Sequence, residues 1–327
     1  MAAHCRCSNG FGERQMRTQR VVLVADFHVG SNYGLANPDI AETGSNSDRE
    51  VRANLFSAWR AATEHTKWGE PDALISVGDA VDGKGFKSGG VEQWEPDLTA
   101  QADHAADLLK MWNAREYYVI LGSPYHVAAG NTGIYVEELM ARKLNAVPYP
   151  YGKNQHSGFH WFLSFLGGTT THVAHHVGIS RVFAYRSTPI AREMMGLALN
   201  DPMRHVRELT SAAKNGRDKL WKQDLAAFKT SIVVRAHAHY SWVCIAGNSA
   251  GFDLPCWEVL TPYMQMRNPV GMLPDIGFVG MEFSEGGKWS YEMCINRVES
   301  MQRPPHTIVG RCEPTADHPN TRARRDH

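Results

Sequence analysis

Carboxylates and imidazoles recur in this chain just after short apolar runs. Asp26 and His28 follow Val21-Val22-Leu23-Val24-Ala25, and Asp79 and Asp82 follow the run 73–77. His126 ends the turn Gly122-Ser123-Pro124-Tyr125-His126, His175 and His176 follow 169–174, and His237 and His239 follow 231–236. Oxygen and imidazole donors together suit zinc, manganese or iron, and the lack of cysteine among them argues against a closed structural zinc site. Six or more such ligands exceed one tetrahedral shell, so two metals account for them economically, with Asp79 as the shared carboxylate. A metal pair about 3.5–4 Å apart holds a hydroxide at neutral pH and clamps the attacking and leaving oxygens of a phosphoryl displacement.

Such residues need strands to carry them. The run 21–25 is short and rich in β-branched residues, which predicts a strand buried on both faces, as parallel strands are. Positions two apart in an extended chain point the same way, so Asp26 and His28 are expected to aim at one point beyond the strand end. A loop over 30–46 follows, then a helix capped by Ser47 or Asp48 and running to about His65. The pattern continues with a strand at 73–77, a glycine-rich loop at 83–90, a helix at 98–113, a strand at 117–121 and a helix at 133–144. This alternation predicts parallel strands joined by crossover helices, with a site beyond their carboxyl ends. After Pro148 the chain turns β-rich. Paired strands are expected at 159–165 and 169–174 across Gly167-Gly168, then two helices within 182–228 divided near Asp201-Pro202. Strands are predicted at 231–236, 242–246, 257–260, 277–283 and 289–298. The two β-rich halves read as two packed sheets with helices outside: a polar tail at 1–20, one domain at 21–300, and a Pro/Arg-rich tail at 301–327.

Composition narrows the possibilities. At 327 residues the chain can bury a full core. Formal net charge is zero, so nothing in the balance demands nucleic acid or an anionic membrane. No apolar stretch approaches the length of a membrane span, and no membrane partner is expected. The first twenty residues lack the apolar core of a secretory signal, and the six cysteines show no CxxC pair. Reduced thiols and a cytoplasmic location are therefore expected.

The ordered set Asp26-x-His28, Gly78-Asp79-x-x-Asp82, Gly122-Ser123-Pro124-x-His126, His175 and His237-x-His239 resembles the calcineurin-like metallophosphoesterases. Their pattern is DxH, GDxxD, GNH(D/E), a lone His, then GHxH. The resemblance runs from about Val21 to Val298. It implies an α/β class fold, an α/β/β/α sandwich of two mixed sheets flanked by helices, with a dinuclear site at the sheet edge. It also implies that Asp26, His28 and His239 bind the first metal, that Asp79 bridges, and that His175 and His237 bind the second. The two divalent ions expected are manganese, with iron or zinc as alternatives. The implied reaction is hydrolysis of a phosphomonoester or phosphodiester by a hydroxide on the metal pair.

Three positions depart from the family pattern. Its asparagine, a ligand of the second metal, falls at Ser123, whose hydroxyl is a poorer donor. Its following histidine falls at Pro124, leaving His126 to act as general acid two residues later. The glycine of GHxH is Ala236. His176 competes with His175 as ligand, and Asp82 reads as a partner that orients one. Lys84, Lys87, Arg181 and Arg186 are candidates to grip phosphate. The substrate is a phosphoester, either a small molecule or a nucleic acid. A nuclease and a catalytically weak binding protein that kept the fold are the alternatives, the latter favoured only by Ser123.

Overall fold

The computed structural model describes residues 16–86, 89–127, 135–180, 182–199, 230–267 and 273–296. Strand β1 spans Thr18–Val24, β2 Ala73–Val77, β3 Glu116–Ile120 and β4 Ser157–Gly158; these four are joined by parallel pairing in the order β1-β2-β3-β4. Strand β10 (Ile276–Ser284) pairs antiparallel with β1, and β11 (Trp289–Asn296) covers β10. The second sheet holds β5 (His160–Ser164), β6 (Thr170–Ala174), β7 (Thr230–Arg235), β8 (Trp242–Ala246) and β9 (Ser249–Asp253), in the order β5-β6-β7-β9-β8. Both sheets are mixed.

Alternation along each strand explains the layering. Val21, Leu23 and Ala25 join Ile75 and Val77 in facing Trp161, Val173, Ile232, Val234 and Phe252 of the other sheet. Val22 and Val24 face outward. They lie under helices α1 (Asn46–Thr63) and α2 (Leu98–Lys110), which contribute Leu55, Trp59, Ala102 and Ala105. Helix α4 (Val136–Lys143) joins the same layer through Val136, Met140 and Ala141, and follows a one-turn helix α3 (Pro124–Val127). On the far side, α5 (Thr188–Leu199) packs Ile190 and Met194 against Val233. A last short helix, α6, spans Pro262–Arg267. The result is the expected four-layer α/β/β/α sandwich, and it explains why its buried strands read as unbroken apolar runs.

Several expectations need correction. The cap of α1 is Ser45, not Ser47 or Asp48. Ser45 Oγ accepts from the Asp48 amide, and the Asp48 carboxylate accepts from the Ser45 amide at 3.1 Å, a capping box that places Asp48 inside the first turn. No strand forms at 257–260. The strand is β9, whose small residues gave little signal. Gly251 is small because α5 lies on it: an added Cβ would meet Ile190 Cγ1 and Met194 Sδ at 2.8 Å each. β1 begins at Thr18, inside the stretch read as tail. Of the two helices expected within 182–228, α5 is described. The break at Asp201-Pro202, the second helix, residues 1–15, the last two residues of the strand at 289–298 and the tail 301–327 lie outside the described residues.

Candidate metal centre

The strands stop before the candidate ligands, and the backbone there turns left-handed. Asp26 (φ 53°), His28 (φ 45°), Asp79 (φ 48°), His237 (φ 74°) and His239 (φ 57°) all occupy a region that residues other than glycine rarely adopt. Each such residue costs about 1–3 kcal/mol and persists only where its surroundings enforce it. Here the corners are tied together. The amides of Asp26 and His28 donate to the carbonyls of Gly78 and Asp79 at 3.0 and 3.1 Å, and those of Trp257 and Ala236 donate to Asp26 and His175 at 2.9 Å each. This corrects the extended-chain expectation: Asp26 and His28 converge because each sits in a tight corner, not because they alternate along a strand.

The expected ligands form two groups, and His28 also belongs to a third with Asp82 and His126. Donor atoms of Asp26, His28 and His239 lie within 4.8 Å of one another, as do those of Asp79, His175 and His237. In the first, Asp26 Oδ1 is 3.4 Å from His239 Nε2 and 3.9 Å from His28 Nε2. In the second, Asp79 Oδ2 is 2.9 Å from His175 Nε2 and 3.8 Å from His237 Nδ1. His175 Nε2 is also 3.9 Å from Asp26 Oδ1, so the groups adjoin. His176 stays exposed and its ring leans on that of His237 at 4.7 Å.

Unpartnered buried polar atoms are costly and rare. Asp26 Oδ1, both ring nitrogens of His28 and His239 Nδ1 are buried with no hydrogen-bond partner. A divalent cation would satisfy such lone pairs, and the oxygen-plus-imidazole set suits one. The electrostatics of the two groups differ. Burial depresses the His28 imidazole, helped by His126 and His239, so it stays neutral, the form of the ring that can coordinate a metal. Burial alone would raise the Asp79 carboxyl, but the charge on His175 and its contact at 2.9 Å hold it well below the usual range. Burial opposes the charged form of His175, yet Asp79 and Asp26 raise it to about 10. Its Nδ1–H donates to the Val77 carbonyl at 2.8 Å, which aims Nε2 at Asp79.

The loops after β2 and β3 are locked against each other. A Cβ on Gly122 would land on the Asp79 carboxylate, and one on Gly78 would meet His175 Cβ at 2.7 Å, so both positions demand glycine. Ser123 donates its amide to Asp79 Oδ1 at 2.7 Å, and its hydroxyl lies 3.1 and 3.2 Å from the two carboxylate oxygens. The expected turn at 122–126 is the single-turn helix α3, with Pro124 at its first position, where the missing N–H costs nothing. That turn sets the His126 ring 4.6 Å from the His28 ring. Its Nδ1 lies 2.8 Å from the Asp82 carbonyl and 3.9 Å from the Asp82 carboxylate, which is itself held by Gln93 Nε2 at 2.8 Å.

Glu137 and Glu258 were not foreseen. Glu137 lies in the acidic first turn of α4, where carboxylates ordinarily serve the helix dipole. Instead its two oxygens accept the amides of Ala80 (2.7 Å) and Gly122 (2.6 Å). Burial and Asp79 push it up to about 8, against the pull of those amides. Glu258 stands in an apolar stretch with no motif around it, and Oε2 lies 3.6 Å from both His28 Nε2 and His239 Nδ1. Among the cationic candidates, Lys84 is exposed and lies 5.9 Å from the Phe86 ring, and Arg186 is buried, stacked 4.5 Å from the Tyr240 ring. Lys87 and Arg181 lie outside the described residues.

The calcineurin-like phosphoesterase family pattern matches residues 19–267. No curated protein matches in sequence. Among solved structures, Vps29 of Entamoeba histolytica complexed with zinc is 11% identical, covering 84% of this chain and 98% of that one at a TM-score of 0.32. Vps29 of Cryptosporidium parvum is 11% identical, with 85% and 98% covered and a TM-score of 0.36. A conserved uncharacterized protein of Streptococcus pneumoniae, titled a predicted phosphoesterase, is 10% identical, with 86% and 99% covered and a TM-score of 0.29. No helix among the described residues is long and apolar enough to cross a membrane.

Proposed function

Because this chain belongs to the calcineurin-like phosphoesterase family, we propose that it hydrolyses a phosphoester with two divalent cations held between its sheets' carboxyl ends. The supporting observation is the pair of adjoining Asp/His groups whose buried donor atoms lack partners. Asp26, His28 and His239 hold one ion, His175 and His237 the other, and Asp79 is shared. Manganese fits this donor set, as do iron and zinc. Such a pair, when bound, makes water a nucleophile at neutral pH and neutralises charge on the phosphoryl oxygens.

The protein's own residues supply the rest. Nδ1 of His126 must be the donor to the Asp82 carbonyl, so the doubly protonated ring is the form that gives up a proton, from Nε2. Its place beside His28 lets it give that proton to a leaving alkoxide. Ser123 steadies Asp79 through its amide and hydroxyl. Glu137 keeps the loops of Asp79 and Ser123 in register.

Metal content tests this reading. Chelator-stripped protein reloaded with manganese is expected to retain close to two ions per chain after desalting. A value near zero at saturating metal would overturn it, and a value near one would remove the second ion from the mechanism.

A further inference from the structure

We propose that Phe86 and Tyr125 form the platform for the leaving group of the ester, and that this group is a nucleoside whose base stacks on Phe86. The inference rests on the phosphoesterase reading above and names the class of substrate for that site.

Four rings run in contact from the candidate metal centre to the surface. His28 meets His126 at 4.6 Å, His126 meets Tyr125 at 4.8 Å, and Tyr125 meets Phe86 at 6.1 Å, each edge to face. Phe86 ends the row 65% exposed. A lone exposed apolar residue needs no explanation. This one sits on a braced loop. Gly83 and Gly85 have φ of 75° and 59°. A Cβ on the first would strike the His126 carbonyl oxygen, and one on the second would meet Gln93 Cδ at 2.8 Å. The Gly83 amide donates to Gln101 Oε1 at 2.8 Å, and its carbonyl accepts from Gln93 Nε2 at 2.7 Å and from Gln101 Nε2 at 2.9 Å. The loop is thus pinned to the His126 turn while its aromatic ring stays open to solvent.

The order of the rings selects the occupant. A leaving alkoxide needs a general acid and a phenolate does not, so the oxygen that His126 serves belongs to an aliphatic alcohol. Tyr125 stands between His126 and Phe86, so a ring stacked on Phe86 is set back from that oxygen by a spacer. A nucleoside has this form: a sugar alcohol with a flat base beyond it. An aryl ester would put its ring against His126 instead. Bases of any sequence stack on aromatic side chains. Lys84, with Nζ 5.9 Å from the Phe86 ring, adds a positive rim that suits a phosphate-bearing ligand. In the reaction, hydroxide joins phosphorus and the bond from phosphorus to the nucleoside oxygen breaks. That oxygen keeps the electron pair and takes the Nε2 proton of His126. The neutral ring regains a proton from the water that yields the next hydroxide.

The 3′- and 5′-methyl phosphates of thymidine test this with the manganese-loaded protein, beside dimethyl phosphate, because each can lose either of two aliphatic alcohols. Wild type is expected to release thymidine and methyl phosphate from at least one of them, with kcat/KM roughly tenfold or more above that for dimethyl phosphate. Release of methanol and thymidylate instead, or equal rates on all three esters, would overturn the inference. Phe86→Ala is expected to raise KM for the nucleoside ester about tenfold with kcat little changed, as loss of a uniform binding contact does. Phe86→Trp, which keeps a flat face, is expected to retain the wild-type KM, and Phe86→Leu is not. Equal losses by Phe86→Ala on the nucleoside ester and on dimethyl phosphate, or full activity in Phe86→Leu, would overturn the platform. Circular dichroism and metal content of the variants separate misfolding from loss of stacking. If wild type hydrolysed neither these esters nor an aryl phosphodiester, the phosphoesterase reading itself would fail. If it hydrolysed the aryl ester and neither nucleoside ester, only the nucleoside assignment would fail.

Discussion

Glu137 accepts the amide of Gly122 at 2.6 Å, and through its second oxygen the amide of Ala80 at 2.7 Å. One buried carboxylate thus clamps the loop that carries Asp79 to the loop that carries Ser123. Above about pH 8, where Glu137 is ionised, glutamate has two free acceptors where glutamine has one, so Glu137→Gln leaves one amide facing an NH₂ group. Leaving a buried donor unsatisfied costs about 1–3 kcal/mol. Urea unfolding of the metal-free variant is expected to show that loss. An unchanged midpoint would mean that the loops hold each other without the clamp.

Asp79 and Asp82 differ in what they touch. Asp79 contacts both His175 and His237 and belongs to the second ligand group, whereas Asp82 accepts from Gln93 and faces His28 and His126 at 3.9 Å. Asp79→Asn is therefore expected to lose more activity and more metal than Asp82→Asn. Equal losses would move the shared carboxylate elsewhere.

His126 is tested by the leaving group. A nitrophenolate leaves without a proton, but a sugar or alkyl alkoxide needs one. General acid catalysis is worth about 10²–10⁴-fold. His126→Ala is expected to slow an alkyl phosphodiester by that order and an activated aryl ester much less, with metal content unchanged. Equal slowing together with metal loss would make His126 a ligand instead.

The far face of the second sheet predicts a pH effect on stability. Arg235 donates to His172 Nδ1 at 3.1 Å, and His172 Nε2 meets His160 Nδ1 at 3.3 Å. Burial, Arg235 and His160 push the His172 imidazole down to about 2. Above pH 6.5 it is neutral in both folded and unfolded chains. Below that, the unfolded chain takes up a proton that the folded chain refuses, so stability falls with pH by up to about 1.4 kcal/mol per unit until near pH 2. Unfolding of wild type and His172→Gln between pH 7 and 5 checks this. The variant is expected to show the shallower slope, and parallel slopes would contradict it.

Much of this was legible in the sequence, for identifiable reasons. Buried parallel strands must be apolar on both faces, so the runs at 21–25 and 73–77 announced themselves. A cation needs several acidic and imidazole donors, and those types recur in order at strand ends. What stayed hidden depends on three-dimensional neighbours. Strand β9 is small because Ile190 and Met194 press on Gly251. Glu137 resembles any acid in a helix's first turn, and Glu258 carries no spacing signal because the Trp257–Asp26 backbone bond, not a motif, brings it in. The left-handed corners at Asp26, His28, Asp79, His237 and His239 were invisible because none of these residues is glycine.

The central claim is that two cations bound by these residues make the protein a phosphoesterase. Its most direct test is the hydrolysis rate of an aryl phosphodiester, with the matching monoester alongside, as stripped protein is titrated with manganese. The account predicts no turnover without metal and a rate that climbs as the second equivalent binds. Two ions bound per chain with neither ester hydrolysed would contradict it.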